Sequence, residues 1–161
     1  MLRVTKIFLI ASIGIWALLG AVGNVVDWGG TIGAVQAATS MSTFDPVPAS
    51  SRATTNAAIV LSGALFIICL KVASGVLCLW GAWQMWLQRA ASASVFAKAK
   101  TCALTGCGVA MFLLFTGWIV IAETWYELWR SPTMLEPVLQ SAFRYCGTIG
   151  VIALFVGAPE E

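Results

Sequence analysis

A single lysine, Lys71, interrupts the apolar run FIICLKVASGVLCLW, which extends from Phe66 to Trp80. A lysine at the centre of a membrane helix costs about 2.5–3.5 kcal/mol on insertion scales. The cost falls when the amine pairs with an acid, bonds backbone carbonyls, reaches water or loses its proton. Three kinds of chemistry are therefore open to Lys71. It can snorkel or bond locally, pair with an acidic group on another subunit or ligand (a lipid headgroup included), or line an ion or proton pathway. The chain has no acid at the same depth, because Asp27 and Glu123 stand near the ends of their apolar segments.

The remaining reactive groups are few. Histidine is absent, which removes bis-histidine haem, histidine-rich zinc or copper sites and the histidine-dependent triads. The five cysteines form no CxxC pair, and Cys102 and Cys107 are not at a zinc or haem-attachment spacing. They read as small packing residues rather than a thiol metal or redox site. Glu123 and Glu127 are one turn apart, with Arg130 three residues on. They can hold a cation or a basic partner patch, but an i,i+3 pair on a solvated face is the preferred reading. Asn24 and Asp27 are placed to cap or order the loop that follows them. These five residues make up a candidate polar cluster at the outer face. No catalytic residue, metal site or required cofactor is assigned, and the chain is not expected to be an enzyme. Its tryptophans leave room for a bound lipid, quinone or pigment, although interfacial anchoring accounts for most of them.

The elements that position these groups follow from composition. Of 161 residues, 60% are hydrophobic and 10% charged, against about 25% charged in soluble domains. So few charges cannot cover a water-facing surface, so the chain is read as one integral membrane domain, 1–161. The net charge of +2 gives no reason to expect nucleic acid. Four apolar segments, 7–26, 57–86, 101–122 and 143–158, predict an all-α bundle of four transmembrane helices. The second is longer than a bilayer needs, and the fourth is short.

On a helical wheel, Lys71 shares its face of the second span with Ala64, Gly75, Cys78 and Ala82. Phe66, Val76, Trp80 and Leu87 fall opposite. The third span carries Cys102, Gly106 and Ala110 at four-residue spacing. Small stripes let membrane helices approach closely, so these seven residues are the candidate packing face and Lys71 is expected to point at protein.

Orientation follows the placement of Lys and Arg. With the N-terminus inside, Arg3, Lys6, Arg89, Lys98 and Lys100 fall on one side, and Arg52, Arg130 and Arg144 on the other. That bias puts both termini in the cytoplasm and a long outer loop between helices 1 and 2. Val35-Gln36-Ala37 resembles a signal-peptide cleavage site, but the long first apolar stretch and the intervening Asp27-Trp28-Gly29-Gly30 favour an uncleaved helix. Within the outer loop, Thr31–Met41 is expected to form a short interfacial helix, broken by Pro46 and Pro48. In the next outer connection, Trp125, Leu128 and Trp129 are expected on one side of a helical turn.

The segments RVTKIFLIASIGIWALLGAVGNVVDWGG, SMSTF, SRATT, SVFAKAK, ETWYELWRS and AFRYCGTIGVIALF, in that order, resemble a bacterial family of predicted small integral membrane proteins, domain of unknown function 2165. Such proteins typically read Gln-His where this chain has Gln36-Ala37, carry histidines near Asn56 and Ala57, and carry a glutamate near Lys71. The resemblance implies four helices in the bacterial inner membrane and transfers no activity. Small size and an intramembrane lysine without an acidic partner lead to an expected role. It is a non-catalytic accessory or structural subunit of a larger inner-membrane complex, of respiratory or photosynthetic type, surrounded by other integral membrane subunits and the lipid bilayer. A small oligomeric transporter or channel with Lys71 in the pathway is the alternative, and a membrane enzyme acting on lipid or quinone stands last.

Overall fold

The computed structural model describes residues 1–44 and 50–159. Among them the regular structure is entirely helical. α1 spans Leu2–Val26, α2 Trp28–Ser40, α3 Ala57–Leu87 and α4 Ala93–Phe112. α4 continues as a π-helical segment, Leu113–Trp125, and a second one, Leu135–Gln140, runs into α5, Ser141–Gly157. Four stretches are long and apolar enough to cross a membrane: Leu2–Val26, Ala57–Leu87, Ala93–Trp125 and Leu135–Gly157. The four-helix, all-α reading therefore holds, but the third and fourth stretches begin earlier than hydropathy places them. Lys98 and Lys100 sit inside α4 rather than before it. Pro137 falls within the first turn of its segment, where a missing N–H costs little.

α3 is the central helix, and it packs on both α1 and α4. Along the α1 seam, Gly14 meets Cys78 and Leu79, Gly20 meets the Lys71 side chain, and Gly75 meets Leu18. Along the α4 seam, the Ser74 hydroxyl donates to Gly106 O at 2.9 Å, and the Cys102 thiol to Leu77 O at 3.5 Å. A Cβ on Gly81 would lie 2.3 Å from Ala103 N, and one on Gly106 would lie 2.7 Å from Cys78 N. Backbones that close require glycine. Lipid offers no hydrophobic drive for helix association, so packing and interhelical hydrogen bonds hold these seams together. Val76, Trp80 and Leu87 remain exposed on the far side of α3.

Both described chain ends lie at one end of the bundle. Lys6 Nζ and Lys100 Nζ both donate to Ala158 O, at 3.2 and 2.8 Å. Arg3 donates to Arg89 O and Ala91 O. Two ammonium groups thus satisfy the last carbonyl after α5 and oppose its dipole. The lysines of SVFAKAK divide here: Lys98 is exposed and Lys100 is buried.

At the opposite end, Asp27 caps α2 by accepting from Gly30 N at 2.9 Å. Met41, at φ 55°, ends that helix. Met41 and Phe44 then pack with Ala38, Ala122, Leu128 and Met134. The short helix expected at Thr31–Met41 therefore exists and begins earlier, at Trp28. The expected break at Pro46 and Pro48 lies outside the described residues. The reading of Trp125, Leu128 and Trp129 as one face is corrected: Leu128 is buried, while Trp125 and Trp129 are exposed. Glu127 adopts φ 52°, and this left-handed residue turns the chain between them.

Candidate functional site

Lys71 lies midway along α3, and its ammonium donates to Asn24 Oδ1 at 2.9 Å. Asn24 is in the last turn of α1, and its carbonyl accepts from Thr31 Oγ1 of α2 at 3.0 Å. The lysine is thus bonded locally within its own chain, the first of the three possibilities its sequence context leaves open. Gly20 makes room for it, since a Cβ there would stand 3.3 Å from Nζ. Asn24 and Asp27 divide the work expected of them jointly. Asp27 caps α2, and the Asn24 side chain turns to the amine instead.

The amine borders an open cavity of about 380 Å³ lined by α1, α2, α3, α5 and the π-helical segments. Its wall carries Asn24, Asp27 and Thr31 towards the α2 end, with Trp16 on the other side of Lys71. The Trp16 and Tyr145 rings meet across α1 and α5 with centroids 5.2 Å apart and planes tilted by 52°. Beyond Lys71, towards the chain ends, the α1 and α4 seams of α3 are filled by Leu18, Cys78 and the Ser74–Gly106 hydrogen bond. A second, mostly apolar hollow of about 340 Å³ shares Val35, Ile67 and Trp118 with the Lys71 cavity.

Both hollows are bounded by the π-helical segment, where Tyr126 N–H donates to Ile121 O, five residues back. π-helical turns are rare and are enriched at functional sites. Here the wider winding places Trp118 between the two hollows.

The five residues of the candidate polar cluster fall in three places. Asn24 and Asp27 line the Lys71 cavity, and Glu123 lies in a shallow groove beside Gln140 and Arg144. Glu127 accepts from Arg130 at 2.8 Å and also pairs with Arg52. Hydrogen bonds first from Arg130 and then from Arg52 hold the Glu127 carboxyl below its ordinary value of 4.5. A depressed folded-state pKa contributes stability that is complete above the unfolded value and is lost as pH falls through the folded one. The tie from Arg52 to Glu127 is thus expected to release only below pH 4.5. Near-UV circular dichroism should show that transition in the wild type, and Glu127→Gln should abolish it. Arg52 lies over the Trp125 ring at 5.7 Å, which supplies the signal.

Of the candidate packing residues, Ala64, Gly75, Cys78, Ala82, Gly106 and Ala110 are buried, and Cys102 is half-buried. Cys78 and Cys107 belong to the main core. Among the described residues no three Cys, Asp or Glu side chains come together as a metal-ligand set. Gly81 and Ala103 are the tightest contact in the molecule's α3–α4 seam, and neither stands out on the Lys71 face of the wheel. The signal that finds them is a second small face on α3, needed because that helix has two neighbours.

A family described as predicted small integral membrane protein (DUF2165) matches residues 2–159. No curated protein and no solved structure matches the chain.

Proposed function

The chain belongs to the family of predicted small integral membrane proteins (DUF2165), and from that premise we propose that it is a non-catalytic, ligand-holding accessory subunit of a larger bacterial inner-membrane complex. In this reading the Lys71 cavity receives the polar end of a membrane-borne molecule. One observation carries it. A lysine held by a neutral amide faces an open cavity and keeps donors available to an anion. Intramembrane ionisable groups that face an interior are functional by default. Both chain ends lie on the cytoplasmic side, by the Lys/Arg bias, so α2 and the cavity mouth lie on the outer side. No more than 28% of an 18-residue apolar stretch of any span is buried within the chain. The remaining surface meets lipid or neighbouring subunits.

Native purification from gently solubilised membranes, with mass spectrometry of all that co-migrates, tests this. Stoichiometric recovery with a larger assembly and a bound small molecule is the expected result. A monodisperse chain carrying neither partner nor bound molecule would sink the proposal.

Transport is the second reading, favoured by the cavity that reaches Lys71. It requires the filled seams beyond Lys71 to open. Equal flux through proteoliposomes of wild type and Lys71→Met would rule Lys71 out as a pathway residue.

A further inference from the structure

We propose that the Lys71 cavity binds the head of a zwitterionic amine–phosphate lipid of the phosphoethanolamine class, with the phosphate on Lys71 and Asn24 and the primary amine on Asp27. This rests on the ligand-holding reading above and names its ligand.

Charge sets the class. Lys71 and Asp27 are the two side chains of opposite charge on the cavity wall. They present one positive and one negative point to an occupant. A head with phosphate alone would leave Asp27 facing like charge, whereas an amine–phosphate head complements both. The hydrogen-bond capacity agrees. An ammonium has three donors, of which Asn24 takes one, so two remain for phosphate oxygens. The Asn24 amide nitrogen donates to no described residue, so it adds a further donor beside them. On Asp27, Oδ1 accepts from Gly30 N, and the second oxygen is free to take an ammonium N–H.

Depth sets the orientation. Asp27 follows the last residue of α1, and Asn24 lies one turn deeper on the same side. The Lys71 amine is fixed at Asn24. Deeper still, two turns down α1 from Asn24, Trp16 makes the wall apolar. From the mouth inward the order is acid, base, hydrocarbon. A phospholipid standing in the leaflet on the α2 side has its amine, phosphate and acyl chain in that order from the mouth inward.

The test uses the full chain, delipidated in non-ionic detergent, and lipids with identical acyl chains bearing ethanolamine, choline or glycerol heads. Retention is read by native mass spectrometry. Wild type should retain the ethanolamine lipid about tenfold over the other two, the factor that corresponds to the low end of one hydrogen bond to a charged group. Lys71→Met should lose that retention. Asp27→Asn, which keeps an oxygen to cap α2, should still bind but no longer prefer ethanolamine over choline. The amide variant is nearly isosteric, so it carries the test if Lys71→Met fails to give a monodisperse protein.

Equal or stronger retention of the glycerol lipid overturns the assignment, as does an ethanolamine preference that survives Asp27→Asn. Retention of the glycerol lipid that Lys71→Met abolishes overturns only the zwitterion and leaves the ligand-holding reading intact. Failure to retain any of the three lipids also overturns the assignment. The ligand-holding reading falls only if native purification in addition yields no bound molecule.

Discussion

Gly81→Ala is expected to destabilise the bundle by about 3 kcal/mol, the upper range for overpacking a tight interior. The added methyl carbon would meet Ala103 N at 2.3 Å and Ala103 Cα at 2.5 Å. Both are backbone atoms, so no side-chain rotation relieves the clash, and α3 must move off α4. That motion stretches the Ser74–Gly106 hydrogen bond and the thiol contacts of Cys78 and Cys102 along the same seam. The sign is informative because glycine-to-alanine in a helix otherwise gains up to about 1 kcal/mol. Gly108→Ala, where nothing lies within 4 Å, is the control and should be neutral or stabilising. Thermal unfolding in detergent reads both. A Gly81→Ala protein as stable as the Gly108→Ala one would show that the two helices do not approach this closely.

Asn24→Leu is expected to cost about 2–3 kcal/mol, the penalty for leaving a desolvated donor without its acceptor. The Lys71 ammonium then has no other partner among the described residues to replace the 2.9 Å bond. Lys71→Met should be neutral or stabilising, because an apolar side chain of similar length replaces a charge that is expensive to hold there. The double variant should recover most of the loss of Asn24→Leu, giving a coupling energy of about 2 kcal/mol in a double-mutant cycle. Additive single effects would mean that Lys71 reaches water instead, and that the amide does little for it. A lysine retained at a site where methionine is more stable is the signature of a functional group. The cycle therefore bears on function as well as on packing.

Four helices and their order were legible because a composition of 60% hydrophobic and 10% charged residues leaves no other way to satisfy backbone groups in lipid. The small face of α3 was legible for the same kind of reason. A wheel built at 3.6 residues per turn holds along an α-helix such as Ala57–Leu87. That wheel fails after Phe112. There the chain winds as a π-helix to Trp125, and nothing in LLFTGWIVIAETW announces the change of period.

The sequence by itself determined a membrane bundle, an intramembrane lysine facing protein, and small residues where helices meet. Each follows from local composition or spacing, and local rules act within a single helix. Only the tertiary structure decided the partners. It set α1 against α3 in the register that brings Asn24 to Lys71, and it sandwiched α3 between two helices so that Gly81 became a contact with Ala103. It turned Lys6 and Lys100 inward onto the end of α5. It also split the expected polar cluster, because Glu127 turns the chain at φ 52° towards Arg130 and Arg52. Pairings between distant segments depend on the register and rotation of whole helices, which single-chain periodicity does not encode.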